Sequence, residues 1–285
     1  MQLSARVSTS KQIWLRQHGG SARKRLAQPE VSSMSWQEEK ENVGKEIVRA
    51  LYNQGMIKTW YRDNPRGWTL VSGLWSPLYI QLRPLSSHPK LLKIVGNALG
   101  RLIRAECSSV NRIVGVATAG IPIATAISLE ANIPSCFTRK LEGVRLLEDF
   151  NRFVKEYGEH SMIEGVLEDG DTVGIVDDLV TKFDSKVLAL QQLDFETNMR
   201  ELKGVTCSDV IVVLDREQGA KEIAKEHGIT LHCLIPFMTK GVAWLKDVLA
   251  DREYEVIVDY LHDAENYQDP RVQTELSDFA MEQDT

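Results

Sequence analysis

Residues 173–178 of the chain, VGIVDD, constrain its fold more than any other stretch. A run of valine and isoleucine without alternating polar residues is typical of a strand that is buried on both faces, as in a parallel sheet. Asp177 and Asp178 close the run, so we expect them at the carboxyl end of the strand, where open α/β sheets bind their ligands. A loop that ends at Ser185 and a helical stretch follow. The positive end of a helix is therefore expected beside the two acids.

This combination of groups predicts a ligand. Neighbouring carboxylates can hold a diol because they accept hydrogen bonds, and the free N–H groups of a helix N-terminus can hold a phosphate. A ribose phosphate carries both features. The same pattern also occurs in α/β proteins in which one acid only caps a helix or binds magnesium. Both interpretations stay open at this point.

Strand-like and helix-like segments alternate on either side of this stretch. Buried strands are predicted at 112–117 and 210–214, each followed by a helix, at 123–130 and 220–227, and a last strand is predicted at 231–235. Such alternation is typical of a parallel sheet covered on both faces. The predicted fold class is therefore α/β.

The two ends of the chain differ from the middle. Residues 1–33 are rich in arginine and serine and poor in acids, which fits a disordered extension, a start codon placed too early, or an organelle transit peptide. Residues 263–285 carry mostly acidic charge, and we expect them to form a solvated tail. The predicted domain is therefore 34–262.

Composition excludes several classes of protein. A formal net charge of −6 gives no general attraction to nucleic acid or to an anionic membrane surface. No apolar run reaches the length of about 18 residues that a transmembrane helix needs. The 4 cysteines are far apart and the histidines show no ligand spacing, so we expect reduced thiols, no structural metal and a cytoplasmic protein.

The connection at 141–165 is long and charged. Loops of this length are often lids or functional arms. Lys155 lies within it, and a lysine on such an arm can neutralise charge that develops on a pyrophosphate leaving group. A solvated loop with unrelated charges is an equally good interpretation of this segment alone.

Short motifs are spread over about residues 40–237. They are SGLWSPLYIQLR at 72–83, GVATAGIP at 115–122, RK at 139–140, KEYG and IEG within 155–165, IVDD at 175–178, and VVLDREQG through HGITLHCL at 212–234. In this order they resemble the orotate phosphoribosyltransferase family, including the form fused to a decarboxylase in animals. The resemblance implies a type I phosphoribosyltransferase-like fold, a parallel sheet flanked by helices with a small N-terminal hood.

The resemblance also implies a reaction and its participants. Orotate and phosphoribosyl pyrophosphate would give orotidine 5′-monophosphate and pyrophosphate, with Mg²⁺ carried by the pyrophosphate. The implied assembly is a homodimer, in which the mobile loop reaches the neighbouring subunit's site.

Roles follow by position in the motifs. Asp177 and Asp178 would hold the ribose hydroxyls, and Thr181 to Ser185 would cradle the 5-phosphate. The groups implied for pyrophosphate are Arg139, Lys140 and Lys155, with Lys155 as the main transition-state group and Tyr157 beside it. Arg216 would pair with the orotate carboxylate, and Tyr79 and Ile80 would flank the base.

Three departures from the family pattern keep an alternative open. The phosphate loop, TKFDS at 181–185, has Phe183 and Asp184 where the family has small residues. A phenylalanine restricts the backbone and an aspartate repels a phosphate. Val71 stands where a lysine is common, and residues 141–154 lengthen the catalytic loop. The alternatives are a catalytically impaired binding or regulatory protein of this fold, and an enzyme that uses another base or donor.

Overall fold

The structure, a computed structural model, describes residues 34–70, 72–144, 147–157 and 160–283. The strands are β1 Ile57–Thr59, β2 Trp68–Thr69, β3 Trp75–Ser76, β4 Leu78–Ile80, β5 Arg112–Gly115, β6 Ser135–Thr138, β7 Ile163–Glu164, β8 Thr172–Val180, β9 Thr206–Asp215 and β10 Thr230–Pro236. The helices are α1 Trp36–Asn53, α2 Pro89–Glu106, α3 Gly120–Ala131, α4 Leu147–Tyr157, α5 Asp184–Met199, α6 Ala220–Glu226, α7 Val242–Leu245, α8 Asp251–His262 and α9 Pro270–Gln283. Short turns of 3-10 helix lie at Arg83–Ser87 and Asn266–Gln268, and a π-helical turn lies at Phe237–Gly241.

The central sheet has the strand order β10-β9-β8-β5-β6-β7. The first five of these strands are parallel, and β7 pairs antiparallel with β6 at the edge. Val173, Ile175 and Val176 of β8 are fully buried, because neighbouring strands flank them and side chains cover both faces. The predicted α/β class and the predicted buried strand are confirmed.

Hydrophobic clusters cover both faces of the sheet. Ile211 and Val213 of β9 belong to the larger cluster, which α1, α2 and α3 cover. Val210 and Val212 alternate with them and belong to a second cluster, which α5 and α6 cover. This alternation follows from the two-residue period of a strand. Among the described residues, no helix is long and apolar enough to cross a membrane.

Residues 57–80, called the hood here, contain two small antiparallel pairs. Strands β1 and β4 pair with Ile57 opposite Ile80, and β2 and β3 pair with Trp68 opposite Ser76. The predicted hood of N-terminal segments is thus a real element of the fold. The expectation for Val71 falls within it but lies outside the described residues, as does the expected extension at 1–33.

The C-terminal segment, residues 251–283, is folded as helices. Tyr267, Leu276 and Ala280 are buried in the larger hydrophobic cluster. The expectation of a solvated tail from residue 263 is therefore wrong for the described part of this segment. The apolar stripe of α9 packs inward, and the acids of this helix face solvent.

Candidate active site

The acid pair lies within β8, at the lip of the sheet. Strand β8 continues past the acids to Val180 beside β9, but its pairing with β5 ends at Val176 opposite Gly115. The acids were expected at the end of the strand, and they lie two to three residues before it. A Cβ atom added to Gly120 would lie 2.4 Å from the Val176 carbonyl oxygen. Because only glycine fits there, α3 begins directly against the acid pair.

Asp177 is held by a buried lysine. Lys186 Nζ lies 2.7 Å from Asp177 Oδ2, and the lysine is 3% exposed. Lys186 Nζ also donates to the Leu179 carbonyl oxygen at 2.7 Å and to Ser185 Oγ at 3.2 Å. Asp177 Oδ1 accepts from the backbone N–H of Asp178 at 2.9 Å. Both carboxylate oxygens of Asp177 are therefore engaged by the protein.

Asp178 has a different environment. Its Oδ1 accepts from the Leu179 N–H at 2.7 Å, and it forms no ion pair with any described residue. Burial and the neighbouring Asp177 charge raise the pKa of Asp178 to about 7. Asp178 is also less buried than Asp177. It is the acid of the pair that a ligand can reach and whose charge changes near neutral pH.

The altered phosphate loop leaves the start of α5 open. Phe183 is fully buried in the second hydrophobic cluster, below the sheet, and Asp184 faces solvent. The phenylalanine ring is therefore packed in the core and does not cover the helix start. Within the described chain, the backbone N–H groups of residues 182–185 donate no hydrogen bond, and α5 has no side-chain cap. Four free donors at the positive end of a long helix are typical of an anion site.

Arg216 follows β9 at the same edge of the sheet. Its backbone N–H donates to the Val180 carbonyl oxygen at 3.0 Å, which ties it to the end of β8. Its side chain is half-buried and has no hydrogen bond or ion pair with the described residues. Burial lowers the pKa of the Arg216 guanidinium. Because a buried charge without a partner is costly, this guanidinium is suited to an anionic ligand.

The hood residues expected to flank the base lie on β4. Tyr79 is 37% exposed, and its ring stacks on Trp68 with centroids 6.0 Å apart. Ile80 is half-buried and packs against the larger hydrophobic cluster. The stacking partner orients Tyr79, so its exposed face is a fixed aromatic surface.

The three cations expected at pyrophosphate are spread over the loop side of the site. Arg139 and Lys140 follow β6, and both are exposed; Arg139 Nε lies 3.6 Å from Glu164 Oε1. Together with His160 and neighbouring residues they line a cavity of about 260 Å³. Lys155 is exposed on the last turn of α4, and no contact joins it to the acid pair in the described structure. The side chain of Tyr157 lies outside the described residues.

The insertion at 141–154 contains most of α4. Phe150 is buried, in one cluster with Leu193 of α5 and Met162. This packing explains why the loop can be longer than in the family pattern, because an amphipathic helix anchors it. Lys155 is therefore carried on a helix end rather than on an extended strand.

Comparison with known proteins decides the family. No protein-family model matches the sequence. The orotate phosphoribosyltransferase of Pyrococcus horikoshii is 32% identical over 194 residues, which are 67% of this chain and 89% of that protein. This chain belongs to the orotate phosphoribosyltransferase family.

Solved structures agree with this family assignment. Leishmania donovani UMP synthase superposes with a TM-score of 0.60 and 25% identity, over 77% of this chain and 42% of that one. The chain thus spans less than half of that longer protein. The orotate phosphoribosyltransferase of Aeropyrum pernix superposes with a TM-score of 0.54 and 23% identity, over 71% of this chain and 97% of that one, which supports the type I fold.

Within this family fold, the structure brings the predicted residues together in two groups. Asp177, Asp178, the loop 181–185 and Arg216 share the carboxyl edge of β8 and β9. Arg139 and Lys140 extend that edge on the β6 side, whereas Lys155 lies apart on α4. The roles implied for Thr181 and Ser185 stay predictions; Ser185 Oγ already accepts from Lys186.

Sequence reasoning missed Lys186. The residue stands in the first turn of α5, where a lysine usually faces solvent. The available signal was its position eight to nine residues after the acids, in a helix that must begin beside them. That signal indicates proximity, but only the structure gives the ion pair.

Proposed function

We propose that this chain is an orotate phosphoribosyltransferase of pyrimidine biosynthesis. In this reaction N1 of orotate displaces pyrophosphate from C1 of the phosphoribosyl group, giving orotidine 5′-monophosphate. The proposal rests on one observation: three groups suited to the substrates lie together at one edge of the sheet. Among the described residues, they are an acid that forms no ion pair, a helix start whose first N–H groups donate no hydrogen bond, and a guanidinium without a side-chain partner.

The donor is bound by the acid pair and by α5. The 5-phosphate accepts hydrogen bonds from the free N–H groups of residues 182–185, with Thr181 and Ser185 at its sides. Asp178 accepts from the ribose hydroxyls in its ionised form. Asp177 supports that contact, because Lys186 holds it in place and keeps a cation in the otherwise acidic pocket.

The leaving group lies toward β6. Arg139 and Lys140 are exposed cations at that end of the edge, and they are available to pyrophosphate. At the described acid pair both Asp177 oxygens already accept protein hydrogen bonds, which leaves Asp178 as the carboxylate that is more open to a cation. The residues therefore fit a metal that arrives on the pyrophosphate. When bound, Mg²⁺ supplies charge neutralisation of that leaving group.

The acceptor lies between the hood and β9. The planar guanidinium of Arg216 matches the orotate carboxylate, and the ordered face of Tyr79 with Ile80 covers the ring. Arg216 provides specificity for orotate. A base without a carboxylate would leave this half-buried guanidinium without an anionic partner.

Lys155 acts in the site of a neighbouring subunit, with Tyr157 beside it. This part of the proposal is supported by the exposed position of Lys155 in the last turn of α4, where it forms no described contact with the acid pair of its own chain. The active form is thus a homodimer, in which α4 of each chain delivers a cation to the pyrophosphate of the other.

A binding or regulatory protein of the same fold is the second candidate. The substitution of the small loop residues by Phe183 and Asp184 favours it. The burial of Phe183 weakens that argument, since its ring packs in the core and not over the helix start. The enzyme is the better-supported proposal.

A turnover assay separates the two candidates. The full chain is incubated with orotate, phosphoribosyl pyrophosphate and Mg²⁺, and orotidine 5′-monophosphate is quantified by chromatography. The enzyme predicts product with the wild type and none above background with Asp178→Asn. Lys225→Ala, a charge change on α6 distant from the edge, serves as the matched control and should retain activity. No product with the wild type would favour the binding protein.

A further inference from the structure

The C-terminal segment, residues 251–283, is not part of the stretch that carries the family motifs, which ends near residue 237. It nevertheless packs directly on the hood. Trp75 of β3 stacks on Tyr267 with centroids 6.3 Å apart and an interplanar angle of 3°. Tyr260 of α8 closes this aromatic group, with its centroid 6.5 Å from that of Trp75 and 5.7 Å from that of Tyr267. The contact is therefore built from three large, mutually oriented rings.

Gln268 adds a directional link to the same tryptophan. The backbone N–H of Trp75 donates to Gln268 Oε1 at 2.8 Å, and Gln268 Nε2 donates to the Trp75 carbonyl oxygen at 3.2 Å. Gln268 Nε2 also donates to the carbonyl oxygen of Ala264 at 2.9 Å, which anchors the amide in its own segment. One side chain thus satisfies both backbone groups of Trp75, in the way that a neighbouring strand would.

A series of contacts continues from Trp75 to Tyr79, the residue that we expect to flank the base. Trp75 pairs with Thr69 on β2, the residue after Trp68, and Trp68 stacks on Tyr79. The aromatic group is thereby joined through β3 and β2 to the ring of Tyr79, the part of the hood that would cover the base.

We propose that Gln268 is a positioning residue for the acceptor: it fixes β3 of the hood against the C-terminal segment, so that Tyr79 stays over the base next to Arg216. This inference rests on the proposed function, because it assigns the hood to the orotate side. It goes beyond that function, since it gives a segment outside the family motifs a role in acceptor binding.

The geometry favours positioning over general stability. A purely structural contact between the segment and the hood is already supplied by the three rings. Gln268 adds little apolar burial, since it is only half-buried, but it fixes the register of one backbone residue. Hydrogen bonds are directional, so their loss loosens β3 without removing the packed rings.

The test compares three variants of the full chain. Gln268→Ala removes both contacts with Trp75, and Gln268→Glu keeps the acceptor but removes the donor. Gln273→Ala is the matched control: it removes a glutamine hydrogen bond to Tyr267 O within the same segment but no bond to the hood. Steady-state kinetics give KM for each substrate, and hydrogen exchange measures the protection of the backbone amides of residues 75–80.

Gln268→Ala should raise KM for orotate by about fivefold to tenfold and leave KM for phosphoribosyl pyrophosphate unchanged. Gln268→Glu should lie between Gln268→Ala and the wild type, and Gln273→Ala should match the wild type. Amide exchange over residues 75–80 should accelerate in the same order. Equal changes in both KM values, or a fall in kcat alone, would overturn the inference.

The exchange experiment keeps this inference distinct from the proposed function. Unchanged exchange at Trp75 in Gln268→Ala would overturn the positioning role whatever the activity. A wild type that forms no product from orotate, with exchange still accelerated in Gln268→Ala, would instead refute the proposed function and the acceptor assignment.

Discussion

Replacing Lys186 with methionine tests the buried ion pair at the centre of the site. Methionine preserves most of the side-chain length but removes the ammonium group, and it leaves Asp177 without its cation. The two side chains are 3% and 9% exposed, so solvent cannot replace the lost partner. Removal of one member of a buried pair typically costs about 3–5 kcal/mol in the free energy of unfolding. We expect a loss in this range.

The double variant Asp177→Asn/Lys186→Met provides the control. It removes both charges, so it should recover most of the lost stability and be far less destabilised than the sum of the two single variants. Urea unfolding followed by circular dichroism measures all four proteins of the cycle. A loss below about 1 kcal/mol for Lys186→Met, the scale of an exposed pair, would refute the reasoning.

Four further predictions concern substrate binding, turnover and stability. Because Asp178 has a pKa of about 7, affinity for phosphoribosyl pyrophosphate should increase as the pH rises through that value, and calorimetry should find no such step in Asp178→Asn. The raised pKa also means that protonated Asp178 stabilises the folded state. This stabilisation is present at low pH and is lost as the pH rises through about 7. Asp178→Asn should therefore be more stable than the wild type in urea at alkaline pH. Arg216→Gln should weaken orotate binding at least about tenfold and spare donor binding, because only a charge-assisted hydrogen bond to the carboxylate is lost; equal losses for both substrates would contradict this role. Mixing inactive Lys155→Ala and Asp178→Asn chains should restore about a quarter of wild-type turnover if Lys155 acts across the dimer, and none if it acts within its own chain.

The parts of the fold that the sequence could predict have strong local signals. The valine and isoleucine run before Asp177 indicates a buried strand by itself, and the order of strands and helices indicates a parallel sheet. The site edge follows from these two facts, since Asp178 lies near the end of β8 and Arg216 directly follows the neighbouring parallel strand β9.

The parts that could not be predicted depend on distant contacts. Lys186 is buried only because the start of α5 folds back on Asp177, and Gln268 acts only because the C-terminal segment returns to the hood. Local polarity predicts an exposed side chain at both positions. The acidic composition of the last residues was misleading for the same reason.

A buried charge network at the opposite edge of the sheet is a further example. His232 lies between two carboxylates, with Nδ1 3.1 Å from Glu106 Oε2 and Nε2 2.8 Å from Asp209 Oδ1. Burial lowers the pKa of His232, but the two carboxylates outweigh it and raise the pKa above its usual value. Cys107 lies close to Asp209 and His232. Cys107, Asp209 and His232 are far apart in sequence and show no ligand spacing there. We interpret the network as an ion cluster, since both ring nitrogens are already hydrogen-bonded.

The central claim is that the altered loop still binds the donor at the start of α5. Calorimetric titration of phosphoribosyl pyrophosphate with Mg²⁺ into the full chain tests it most directly. We predict one site per chain with a Kd near 1 μM, about −8 kcal/mol, and a large loss of affinity in Asp178→Asn. The absence of detectable donor binding with Mg²⁺ present would contradict the claim and redirect attention to a regulatory partner.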